Sequence, residues 1–451
     1  MSPPTTPSVS RPPMRIALIS EHASPLAALG GVDAGGQNLY VAHVARCLAR
    51  AGHHVDVLTR RDSPDLPPVV DLRPGVRVLH IPAGPAEFVP KEALLPHMPA
   101  FAHAAEQLMR HSVPYDVVHA NFFMSGMVAQ QLKASLGLPY VITFHALGLV
   151  RREHQKQADG FPDERVDIER ALVRDADAIV AECPQDRLDL VRLYGAQPGR
   201  IAMVPCGFDG SEFGPMDRAQ ARARLGLDAR DFIVLQLGRL VPRKGVDNVI
   251  RSFAHLGAEV PARLLVVGGE TAEPDEAATP EIGRLRRVAR EAGVLERVTF
   301  TGRRQRADLR SFYAAADVFV TTPWYEPFGI TPLEAMACAR PVIGSRVGGI
   351  QYSVLDGVTG YLVPPHDPAA LAQRLAQLHA DPQQAQAMGL AGLRRARSMF
   401  TWEQVAASLA GVYESVRGGA AQPVAAQAAA AWKGAARLAS AAAAGSLAAS
   451  R

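Results

Sequence analysis

The chain has 451 residues, 48% of them apolar and 20% charged, with a formal net charge of +4. Such a length exceeds one ordinary core and predicts two domains of a globular protein. So small a charge over so long a chain argues against a nucleic-acid partner and leaves only a local basic site for phosphates.

Residues 1–13 are rich in Pro, Ser and Thr without an apolar core segment, so they read as a disordered leader and not as a signal peptide. No apolar run is long enough to span a bilayer, which predicts a soluble protein with at most peripheral membrane contact. The four cysteines, Cys47, Cys183, Cys206 and Cys338, form no Cys-x-x-Cys pair. Neither a zinc site nor a disulfide framework is expected, and a reduced, cytoplasmic setting fits.

Short apolar, β-branched runs follow in order. The first half carries Arg15–Ser20, His54–Thr59, Val76–Ile81, Asp116–Ala120, Tyr140–Phe144, Ala178–Ala181 and Ile201–Val204. The second carries Phe232–Leu237, Arg263–Val267, Val298–Thr301, Val318–Thr322, Pro341–Gly344 and Gly360–Val363. Continuous runs of this kind suit strands buried on both faces of a parallel sheet. The segments between them read as amphipathic helices. In Asn38–Ala51, Leu39, Ala42, Ala45 and Leu48 share one face and Gly52 is the stop. The alternation predicts two doubly wound α/β domains, 14–210 and 211–400, joined near Cys206–Met216. A helix over Thr401–Ser415 is expected to return to the first domain, as 401–417 of that unit. The Ala-rich 418–451 reads as a mobile tail.

Ligands of wound sheets bind beyond the carboxyl ends of the strands, and the unusual residues fall there. Gly35 and Gly36 stand before a helix, where backbone N–H groups can approach an anion; the plain alternative is a tight turn. No Gly-x-Gly-x-x-Gly or P-loop fingerprint is present. Arg239 and Lys244 share the loop GRLVPRKG, either as a diphosphate clamp or as a solvated basic loop. His145 ends the run VITFH, either at a ligand or as a core histidine with both nitrogens satisfied. Thr331, Pro332 and Glu334 fit N-cap, first and third helical positions, so Glu334 has a capping-box reading. Glu326 lies in an aromatic, Pro/Gly-rich loop that needs no carboxylate, and a carboxylate there suits sugar hydroxyls or an oxocarbenium-like centre.

The spacing Glu326-x7-Glu334 inside EPFGITPLEAMACARPVIGSRVGG resembles the retaining glycosyltransferases of family four, with the two-Rossmann GT-B fold. GGVDAGGQ, TFH, GRLVPRKG and TGRR are similar to that family's motifs in the same order, over residues 14 to 417. GGVDAGGQ with TFHALG most resembles the sucrose-phosphate synthase and inositol-phosphate glycosyltransferase branches. The resemblance implies a nucleotide-diphosphate sugar as co-substrate, UDP-glucose in first place, with no cofactor and no catalytic metal. It implies that Glu334 holds the donor ribose. Glu326, with the backbone N–H groups of Phe328 and Gly329, would hold the donor sugar, and Ile330 and Thr331 would also bind the donor. Arg239 and Lys244 would take the diphosphate, Gly35 and Gly36 would bind the donor with Gly36 approaching the reaction centre through its backbone, His145 would contact the sugar and Arg303 would lie near the base. No carboxylate is placed as a nucleophile, so front-face internal return is the implied route.

For a phosphorylated acceptor the resemblance implies Lys91 and Arg165. Phe122 and Ala146 stand where those branches carry Tyr and Thr, so two hydroxyl donors are missing. The acceptor is read as a small or lipid-linked molecule. A nucleotide-sugar epimerase or phosphorylase on the same fold, and a non-catalytic sugar-nucleotide binder, remain as alternative functions.

Overall fold

The computed structural model describes residues 12–27, 35–156, 160–257 and 259–418. Residues 1–11 of the expected leader, Gly30–Ala34 of the glycine loop and the tail beyond 418 lie outside the described residues. The first half forms β1 (Arg15–Ile19), β2 (His54–Arg60), β3 (Val69–Arg73), β4 (Val76–Ile81), β5 (Val117–Asn121), β6 (Tyr140–Thr143), β7 (Ala178–Ala181) and β8 (Ile201–Met203). The second forms β9 (Phe232–Leu237), β10 (Ala262–Val267), β11 (Val298–Gly302), β12 (Val318–Thr321), β13 (Val342–Ser345) and β14 (Gly360–Val363).

They make two sheets, ordered β3-β4-β2-β1-β5-β6-β7-β8 and β11-β10-β9-β12-β13-β14. Pairing is parallel throughout except between β3 and β4. The apolar runs are strands because helices cover both faces: every residue of β5, β6, β7, β9, β12, β13 and β14 is buried. The expected α/β GT-B architecture is what the chain adopts.

The edge strand β3 was not among the expected runs. Its sequence VVDLR alternates exposed and half-buried residues, and it returns antiparallel through Pro74-Gly75. An edge strand needs little apolar content, so its run is too weak to stand out.

Strand order reverses beside β1, which borders β2 and β5, and beside β9, which borders β10 and β12. Both reversals open a crevice at the carboxyl ends of the strands. The helix Gly36–Arg50 follows β1 into that crevice, and Gly52, at φ +95°, follows its last turn.

The helix Trp402–Arg417 starts on a Thr401/Gln404 capping box and lies on Gly36–Arg50. It buries Trp402, Val405, Leu409, Val412 and Tyr413, and each such side chain contributes roughly 1.5–3 kcal/mol. Tyr413 Oη meets His119 Nδ1 of β5 at 2.6 Å. The chain crosses between the sheets twice at one place, where Phe208 N donates to Phe400 O at 2.8 Å and Trp402 N to Phe208 O at 3.3 Å. Among the described residues no helix is long and apolar enough to cross a membrane.

Candidate active site

A cavity of about 590 Å³ lies between the two sheets, lined from both halves of the chain. From the first half come Gly35, Gly36, Lys91 and His145; from the second come Arg239, Lys244, Arg303, Glu326 and Glu334, with Phe328, Gly329, Ile330 and Thr331. A Cβ placed on Gly35 would sit 3.8 Å from Arg239 Nη1, and one on Gly36 3.7 Å from Ile330 Cδ1. The glycine loop therefore faces the basic loop and the Glu326 loop directly. Gly35 N itself donates to Asn38 Oδ1 at 2.9 Å.

Glu326 is the charge centre. Its Oε2 accepts a hydrogen bond from Lys244 Nζ and lies 3.4 Å from Arg243 Nη1, which also bonds Tyr325 O at 3.1 Å. Burial pushes the Glu326 carboxyl up, but Lys244 and Arg243 outweigh it and hold the group below its usual range. Burial, together with Arg243 and Arg239, draws Lys244 below the ordinary lysine value although Glu326 supports its charge. As an ammonium, Lys244 has two N–H donors besides the one on Glu326. Two of these basic groups, Arg243 and Lys244, come from one short turn: Pro242–Lys244 is a 3-10 turn and Gly245, at φ +63°, hands the chain to the helix Val246–Ser252. Arg243 was not singled out from sequence, although its neighbour Lys244 was.

Glu334 does not cap a helix. The helix Thr331–Ala337 has Ile330 at its N-cap, without a side-chain cap bond, which puts Thr331 and Pro332 at the first two helical positions. The capping-box reading is thus corrected, because the turn begins one residue early. The Glu334 side chain is buried and turns sideways instead. Arg306 Nη1 donates to its Oε1 at 3.1 Å and Tyr313 Oη to its Oε2 at 2.8 Å.

His145 adopts φ +57°, in the left-handed region that costs a residue with a Cβ roughly 1–2 kcal/mol. Both its ring nitrogens face oxygens, Glu182 Oε1 at 3.2 Å and Asn121 Oδ1 at 3.1 Å. The ring thus lines the cavity with each nitrogen within hydrogen-bonding distance of a side-chain oxygen. Glu182 and Asn121 were not found from sequence, since each is one polar residue at the end of an apolar run.

Arg303 lines the cavity, exposed, with its backbone N donating to Thr271 O at 2.7 Å. Lys91, in the 3-10 turn Lys91–Ala93, lines the cavity and pairs with Glu92 at 3.3 Å. Arg165 is placed elsewhere. Its side chain is fully buried, bonded to Glu169 at 2.8 Å and to Ala146 O, with its guanidinium 4.6–4.9 Å from the rings of Phe122, Phe123 and Phe161. It does not line the cavity. Arg151, on the helix Gly148–Gln155, does.

His43, Asp209 and Glu212 bring ligand-type atoms within 4.8 Å of one another at the crossing between the halves. Guanidinium groups already match both carboxylates: Arg46 reaches Asp209 and Arg306 reaches Glu212, each at 2.5 Å.

Residues 217–395 match the family described as Glycosyl transferases group 1, and residues 35–207 match the Glycosyl transferase 4-like domain. A D-inositol 3-phosphate glycosyltransferase of Acidothermus cellulolyticus is 39% identical over 409 residues, 89% of this chain and 90% of its own length. The chain belongs to the group 1 glycosyltransferases. D-inositol 3-phosphate glycosyltransferase 1 of Catenulispora acidiphila is 40% identical over 418 residues, covering 91% of this chain and 98% of that relative. Among solved structures, the sucrose-phosphate synthase of Thermosynechococcus elongatus superposes with a TM-score of 0.82 at 36% identity, over 90% of this chain and all of that one. The resemblance seen in EPFGITPLE and GGVDAGGQ thus extends over both halves of this glycosyltransferase.

Proposed function

We propose that this glycosyltransferase moves a hexosyl group, glucosyl from UDP-glucose, to a hydroxyl of a small-molecule or lipid-linked acceptor with retention of anomeric configuration and without a bound metal. The observation that carries the reading is the Glu326–Lys244 pair in a cavity that also holds His145, Arg239 and Glu334. A carboxylate, a basic clamp and a histidine in one interdomain cavity match the needs of a sugar diphosphate: an acceptor for hydroxyls, cations for phosphates and a wall for the anomeric centre.

In this reading Glu334 takes the ribose hydroxyls and Arg303 lies beside the base. Arg239 and Lys244 neutralise the diphosphate as the bond from sugar C1 to the phosphate oxygen breaks. The acceptor hydroxyl attacks C1 from the same face, and the leaving phosphate oxygen takes its proton. Products are the glycoside and the nucleoside diphosphate. Glu326 holds the sugar hydroxyls, and its negative charge favours the oxocarbenium-like centre.

Relatives named for D-inositol 3-phosphate favour a phosphorylated polyol or sugar among small acceptors. Lys91 and Arg151 supply the cations for it at the cavity wall, while Phe122 and Ala146 supply no hydroxyl there. The two halves serve as acceptor and donor domains, with the join between Asp209 and Glu212.

The test is a screen of UDP-, GDP- and ADP-hexoses against cell extract, with products identified by mass spectrometry and the new linkage read by proton NMR. UDP-glucose consumption with an α-linked product supports the proposal. A β-linked product overturns retention.

A further inference from the structure

Three neighbouring strand ends converge on one imidazole. Asn121 ends β5, His145 stands two residues past β6, and Glu182 follows β7 directly. The His145 ring lies between them, with Glu182 Oε1 3.2 Å from Nδ1 and Asn121 Oδ1 3.1 Å from Nε2. The Asn121 amide nitrogen donates to Ile19 O at 3.2 Å and His119 O at 3.4 Å, so its oxygen is the atom that faces the ring. Tyr40 closes a third side edge-on, with ring centroids 4.8 Å apart.

Glu182 is itself held. The Cys206 thiol donates to the same Oε1 at 3.0 Å, and burial, followed by Glu182, pushes that thiol well above its ordinary value, so it remains a donor. Glu182 N donates to Asp186 Oδ2 at 3.0 Å, which fixes the turn leaving β7. Glu182 is only 3% exposed. Nothing in the packing of β7 calls for a carboxylate, and a buried one is costly without a partner. Its partners here are the imidazole and the thiol.

We infer that Glu182 is a positioning residue for His145. It acts through the imidazole: it fixes the ring, and with the ring the left-handed turn that presents residues 145 and 146 to the cavity, and Cys206 fixes Glu182 in turn. The inference rests on reading the cavity as the glycosyl-donor site.

The test compares Glu182→Gln, His145→Ala and the double variant in the full chain. Glu182→Gln should lower kcat at least about tenfold, because a displacement of about 1 Å near the reacting atoms can cost up to about 100-fold. Donor KM should stay within about twofold, since the lost interaction is not one with the ground-state donor. In the His145→Ala background the same substitution should change kcat by less than about twofold, because the group it positions is gone. Effects that multiply in the double variant, or a raised KM at unchanged kcat, overturn the inference. A readout independent of turnover is the low-field imidazole N–H proton resonance assigned by its loss in His145→Ala. It should shift or vanish in Glu182→Gln, and in Glu182→Asp if the glutamine variant does not fold. An unmoved resonance overturns the positioning role, whereas wild-type protein that transfers no sugar counts against the proposed function alone.

Discussion

Tyr313 donates its hydroxyl to Glu334 Oε2 at 2.8 Å, while Arg306, seven residues earlier on the same helix, holds the other oxygen. Burial, followed by Glu334, pushes the Tyr313 phenol well above its ordinary value, so it stays a neutral donor. Tyr313→Phe leaves a buried carboxylate oxygen unmatched and loosens the side chain proposed for the ribose. Calorimetry should show UDP binding weakened about three- to tenfold, with stability lower by about 1–2 kcal/mol.

Arg306 also reaches Glu212 at 2.5 Å and lies 4.9 Å over the Phe213 ring, whereas Asp209 is tied to Arg46 of the first half. Gly210 and Ser211 lie between them, at the proposed join of the two domains. Glu212 does not line the cavity. Glu212→Ala is nonetheless expected to weaken UDP binding several-fold, through Arg306 and Glu334. Unchanged affinity by calorimetry would show that the crossing and the carboxylate proposed for the ribose are independent.

Asp186 responds to pH. Burial, then Glu182, pushes its carboxyl up to about 7. The folded chain therefore keeps a proton that the unfolded chain releases near the usual value of about 4. Stability falls as pH rises from about 4 to about 7, and the full penalty is present above that. Asp186→Asn removes this titration and keeps an oxygen for Glu182 N. Thermal melts should place the variant above wild type at pH 8, with the gap shrinking toward pH 5.

Much of the site was legible because family motifs sit where strands end. Glu326, Lys244, Arg239, His145 and both glycines meet in the cavity from positions far apart in sequence. What was missed has physical reasons. Helix starts are uncertain by a residue, and one residue turned Glu334 from a cap into the partner of Arg306 and Tyr313. The i, i+7 spacing of those two on one helical face was a usable signal. Arg165 looked like an anion ligand, but no sequence feature showed that Phe122, Phe123 and Phe161 would enclose it. Glu182 was hidden because only the sheet order β5-β6-β7 brings it to His145.

Gly348 ties the Glu326 loop to the segment after β13. It adopts φ +44°, and a Cβ there would sit 1.8 Å from Glu326 O. Gly348→Ala must displace the Glu326 backbone. It is expected to cost well over 1 kcal/mol in a denaturant melt and to raise donor KM.

The central claim is that Glu326 and its cations act on a sugar diphosphate. Its most direct test is turnover of UDP-glucose by Glu326→Gln, measured as UDP release with acceptor present and paired with a melting curve to show that the variant folds. A folded variant with turnover reduced about 100-fold or more is the predicted result. Turnover near that of the wild type would contradict the claim.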